Sequence, residues 1–82
     1  MPEEIISFKM KFNRSLEPIK VMLISRKDEL DEKAWSAFVE KTENSIIRHP
    51  EQYLGSELPQ PKTLRIIVKT IFKEFVQRER KA

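Results

Sequence analysis

The sequence predicts a small α+β domain, mainly α, in which a strand near the N-terminus precedes two or three helices. Three observations carry that expectation. Apolar and polar side chains alternate strictly along residues 6–13, as in a strand with one buried face. Residues 62–78 instead repeat their apolar side chains at spacings of three and four, the period of an amphipathic helix. Between the two lies a long stretch without glycine or proline from Ile19 to His49, room for one or two further helices.

The strand is expected at about residues 5–13. Ile6, Phe8, Met10 and Phe12 fall on one face, with Ser7, Lys9, Lys11 and Asn13 on the other. A lone strand leaves its backbone groups unpaired, so this one needs a partner. Residues 15–27 fit two elements. As a helix, Ser15 caps the start, Pro18 sits in the first turn where its missing N–H is harmless, and Leu16, Ile19, Leu23 and Leu30 share a stripe. As a strand, Ile19, Val21 and Leu23 face Phe8, Met10 and Phe12 across a hairpin. The helical reading makes strand pairing within a homodimer the natural solution, and the hairpin reading permits a monomer.

A helix over about residues 29–48 follows. Asp28, Glu29, Asp31 and Glu32 gather where the positive end of a helix dipole favours them. Ala34, Trp35, Phe38, Val39, Thr42 and Ile46 form its apolar stripe, and Pro50 ends it. One continuous helix from Ser15 to Arg48 is also compatible with the pattern. Residues 49–61 read as a loop, with Gly55, Pro59 and Pro61 as breaks and Tyr53, Leu54 and Leu58 docking back on the core. The last helix, about 62–78, has Leu64, Ile67, Val68, Ile71, Phe72, Phe75 and Val76 on its apolar face and packs across the preceding helix. Residues 79–82 form a basic tail.

Size and composition bound the rest. The 82 residues make one domain with a thin core, and chains this short often gain stability from a partner. There is no cysteine, which excludes disulfides and thiolate metal sites and favours a reducing, cytoplasmic setting. The start carries no signal-peptide pattern, and the longest apolar run is Val21-Met22-Leu23-Ile24, far too short to span a bilayer.

Catalytic chemistry finds no support. His49 is the sole histidine and stands at a helix end beside Pro50, where capping explains it. The acidic group at residues 28–32 lacks the loop glycine and alternate spacing of a calcium loop. One glycine cannot build a phosphate loop. No enzyme activity, metal or cofactor is expected.

Charge placement offers the best functional lead. The net charge is +3, but the last 21 residues hold Lys62, Arg65, Lys69, Lys73, Arg78, Arg80 and Lys81 against only Glu74 and Glu79. A stripe of cations on one helix face suits nucleic-acid phosphates or an acidic protein surface, and it also serves as a plain solvated face. Lys9 and Lys11 on the outer face of the strand add to it. The order strand, helix, helix over residues 5 to 48 is similar to that of ribbon-helix-helix repressors, which lay paired strands in the DNA major groove. That resemblance implies base or phosphate contacts for Lys9 and Lys11. The usual glycine between the helices is missing here, and the C-terminal third has no counterpart. Trp35, Phe38, Phe72 and Phe75 read as core, with Trp35 the aromatic nearest an interface.

The expected function is thus a non-catalytic nucleic-acid-binding or regulatory module using the C-terminal basic helix. The alternative is a protein-interaction or assembly subunit with no nucleic-acid contact.

Overall fold

The computed structural model describes residues 2–81. Its elements are five helices in chain order: α1 (Pro2–Ser15), α2 (Glu17–Lys27), α3 (Glu32–Arg48), α4 (Pro50–Leu54) and α5 (Pro61–Lys81). No strand occurs among the described residues, so the α+β expectation is overturned. Residues 5–13 lie inside α1, and residues 15–27 are neither strand nor hairpin arm. The strand-paired homodimer and the resemblance to ribbon-helix-helix repressors lose their basis together.

The reason lies in a second pattern that the alternation conceals. Ile5, Phe8, Phe12 and Leu16 recur at steps of three and four, and this set turns inward: Phe12 and Leu16 are fully buried, while Ile5 and Phe8 pack partly against the core. Ile6 and Met10, which a strand would bury beside Phe12, point outward instead. A helix also pairs its own backbone groups, so the need for a partner strand disappears.

Between α1 and α2 the helix is interrupted at Leu16 alone. Leu16 N–H donates to Phe12 C=O at 2.8 Å, and Lys20 N–H donates to Leu16 C=O at 2.9 Å. Leu16, not Ser15, stands at the N-cap position of α2, and Pro18 occupies its first turn. The continuous helix considered for residues 15–48 is interrupted at Asp28–Asp31. Glu29 and Leu30 N–H groups both turn back to Arg26 C=O there, and the Asp31 carboxylate caps α3 by accepting from Ala34 N–H at 2.7 Å.

Before α5, residues 49–61 are not wholly loop, because Pro50–Leu54 makes the short helix α4. Leu54 is buried, Tyr53 and Leu58 pack against the core, and the Tyr53 hydroxyl meets that of Ser45 at 3.2 Å. At the other end of α5, residues 79–81 continue the helix and form no separate tail; Ala82 lies outside the described residues.

The longest helix, α5, organises the molecule. Leu64, Ile67, Val68, Ile71, Phe72 and Phe75 are buried along it. On one flank α3 packs antiparallel, tied by Lys69–Glu43 at 3.7 Å and by Arg80 donating to Ser36 at 3.1 Å. On the other flank lies α1, tied by Lys9–Glu74 at 2.9 Å. Trp35 closes the core at the junction of α2, α3 and α5: it is 2% exposed, and its ring lies 6.1 Å from that of Phe75. It is therefore part of the core and not the edge of an interface.

Candidate functional site

A helix advances about 3.6 residues per turn. Lys62, Lys69, Lys73 and Arg80 consequently fall on the side of α5 opposite its buried residues, with Arg65 at the border of that side. All five are exposed. From Lys62 to Lys73 the basic face runs about 16 Å at the helical rise. Lys81 is also exposed in the final turn.

Not every expected cation joins this face. Arg78 turns to the α1 flank, where it lines a cleft of about 490 Å³ together with Met10, Arg14, Glu17 and Glu74. Lys9 and Lys11 sit on α1, not on a strand, and each is engaged by an acid from elsewhere in the chain. Lys9 holds Glu74, and Lys11 holds Glu57 at 3.0 Å. The Lys11 ammonium donates to the Glu57 carboxylate and keeps it charged to lower pH than usual. These two lysines thus fasten α1 to the loop and to α5. The structure gathers Lys62, Arg65, Lys69, Lys73 and Arg80 and separates Arg78, Lys9 and Lys11 from them.

The gathered face is not uniformly positive. The groove between α3 and α5, about 430 Å³, is lined by Lys69, Lys73 and Arg80 from α5 but also by Glu40 and Glu43 from α3. Burial raises the pKa of Glu43, because the groove wall takes water from its carboxylate. Lys69, Glu43's ion-pair partner, and the nearby Arg65 oppose that rise without cancelling it. Among the described residues, Lys62, Arg65 and Lys73 form no ion pair.

One residue of this face had a sequence signal of its own. Ile66 falls off the buried spacing of α5 and stands 62% exposed between the Lys62 and Lys69 turns. Its β-branched side chain at a position that solvent would suit better marks it as distinct from its basic neighbours.

His49 is exposed as the C-cap of α3, its backbone N–H donating to Ser45 C=O at 2.9 Å. Among the described residues, no group of three or more acidic or histidine side chains is placed to hold a metal ion. No described helix is long and apolar enough to cross a membrane.

Comparison with protein-family models, curated proteins and solved structures finds no match for this chain.

Proposed function

We propose that this protein is a non-catalytic interaction module that docks an acidic protein surface on the outer face of α5. The observation that carries this reading is the exposure of Ile66 amid Lys62, Arg65, Lys69 and Lys73. Protein interfaces combine an apolar contact that excludes water with a charged rim that steers the approach and sets register. A face used only for phosphates gains nothing from an exposed isoleucine. Glu40 and Glu43, beside Lys69 and Lys73, repel any anion laid along the groove, so the partner's acids are met by Lys62 and Arg65 outside it. A folded partner with acids and one apolar pocket fits both features.

Nucleic acid is the second reading. It is favoured by Lys62, Arg65 and Lys73, which form no ion pair among the described residues and lie along one stretch of helix. Both readings are served by a soluble chain in a reducing compartment.

Affinity capture from nuclease-treated lysate, using the parent chain beside Ile66→Ser and Lys73→Glu, separates them. A defined partner retained by the parent and lost with both variants supports the protein-docking reading. Capture that nuclease abolishes, with direct DNA or RNA binding whose logarithm falls linearly with log salt, supports the second. Retention unchanged by either substitution overturns the assignment of this face.

A further inference from the structure

The inward row runs on through the bend between α1 and α2, with Phe12, Leu16 and Leu23 fully buried, so the opposite faces of the two helices lie on one side of the molecule. The helix is interrupted at Leu16, and two hydrogen bonds, from Leu16 N–H to Phe12 C=O and from Lys20 N–H to Leu16 C=O, span the interruption. The exposed row of this bent helix is Ile6, Met10, Arg14, Glu17, Val21 and Ile24. Successive members are separated by four, four, three, four and three residues, the stepping of a coiled-coil seam. It is the counterpart of the inward row Ile5, Phe8, Phe12, Leu16, Ile19 and Leu23, so the bent helix is apolar on two sides. Ile6, Met10, Val21 and Ile24 are 57%, 61%, 60% and 42% exposed. Four large apolar side chains aligned on one outer row lie outside what a solvated surface needs.

The centre of the row is charged, and the order of its charges selects an occupant. Arg14 and Glu17 are both exposed on the cleft that Glu74 and Arg78 of α5 also line; Arg14 has no ion pair among the described residues, Glu17 has only Lys20 of its own helix at 3.9 Å, and Glu74 is held by Lys9. We infer that this row is a self-complementary interface for a second copy of the chain, docked antiparallel about a two-fold axis between Arg14 and Glu17. In that arrangement Arg14 of each copy meets Glu17 of the other, Met10 meets Val21, and the Ile6 end of one row meets the Ile24 end of its mate. A parallel pairing sets Arg14 against Arg14 and Glu17 against Glu17, which the like charges oppose. The two-fold arrangement uses one patch twice, as closed dimers do.

From Ile6 to Ile24 the row extends about 27 Å at the helical rise. One helix pair of that length falls at the small end of specific interfaces, so the dimer should be micromolar and reversible. The interface leaves the outer face of α5 free, and it stands or falls independently of the function proposed above.

Sedimentation equilibrium of the full chain is the test, with circular dichroism confirming that each variant keeps its helices. The parent should reach dimer mass in the micromolar range. Met10→Glu should leave a folded monomer, and Arg14→Glu and Glu17→Arg should each weaken association about tenfold or more. Mixing the two charge variants supplies the decisive reading. The Arg14→Glu chain then presents two acids at the centre of its row and the Glu17→Arg chain two bases, and a heterodimer should form although neither variant pairs well with itself. A parent chain that stays monomeric at about 1 mM overturns the proposal. So does a dimer indifferent to Met10→Glu, or a mixture of charge variants that fails to associate.

Discussion

The indole N–H of Trp35 donates a 2.8 Å hydrogen bond to the backbone carbonyl of Leu23, and both residues are buried. This contact ties α3 to α2, because the ring lies in the core while its one polar atom reaches a carbonyl of the neighbouring helix. Lys27 completes the arrangement, its ammonium 5.8 Å from the same ring and bonded to the C-terminal turn of α5 through Glu79. Trp35→Phe keeps an aromatic ring against Phe75 but loses the hydrogen bond and some volume. It should lower stability by about 1–3 kcal/mol. A urea midpoint that falls with unchanged slope, followed by circular dichroism, is the expected result.

Phe12 and Ile6 distinguish helix from strand by energetics alone. On a strand the two would share a buried face, whereas in α1 Phe12 is fully buried and Ile6 is mostly exposed. Phe12→Ala should therefore cost about 3–5 kcal/mol, and Ile6→Ala, in dilute solution, less than about 0.5 kcal/mol. The first loss is a large share of the roughly 4–12 kcal/mol that stabilises a chain of this size. Comparable losses at both positions in urea unfolding would contradict the burial pattern of α1.

Glu43 gives stability an unusual pH dependence. Burial raises its folded pKa above the ordinary 4.5, so the folded state holds this proton more tightly than the unfolded state does. Its contribution is complete below pH 4.5 and is lost as pH rises through the higher folded value. Glu43→Gln removes the buried charge. At neutral pH the variant should match or exceed the parent, by up to about 1 kcal/mol, since the half-exposed Lys69 loses little. The difference should shrink as pH falls through that higher folded value and be gone by about pH 4.5. Glu57 runs the opposite way: Lys11 lowers its pKa, so its contribution is present above 4.5 and fades as pH drops. Urea unfolding across this pH range, with and without Glu43→Gln, checks both signs.

Gly55 ends α4 with φ 89° and ψ −173°, a backbone conformation that only glycine adopts readily. No heavy atom lies within 4 Å of where a Cβ would stand, so any penalty for alanine is one of backbone strain and not of collision. Gly55→Ala should destabilise by about 1 kcal/mol or more, whereas Ser56→Ala next to it should not. Equal thermal midpoints for Gly55→Ala and the parent would place the strain elsewhere.

The basic face of α5 was open to sequence reading because one long helix carries it. Its apolar spacing is regular, so the opposite face follows from geometry, and Lys62, Arg65, Lys69 and Lys73 emerged together. Ile66 was missed by that reading, although being out of step with the apolar spacing was its signal. The acids beside that face were not: Glu40 and Glu43 reach the groove only because α3 packs antiparallel to α5. Lys9 and Lys11 followed the same rule, since their partners Glu74 and Glu57 are distant in sequence.

What the sequence determined by itself was the approximate position of the two long C-terminal helices, the acidic cluster at the start of α3, the stop at Pro50 and most of the inward faces of α3 and α5. Each depends on residues within a few turns of one another. The N-terminal third was decided by tertiary structure. Residues 5–13 satisfy both a period of two and a period of three to four, and local pattern cannot rank them. Burying Phe12 and Leu16 against α5, with every backbone group paired inside the helix, favours one solution because a strand would find no partner in a chain whose remaining apolar faces are helical.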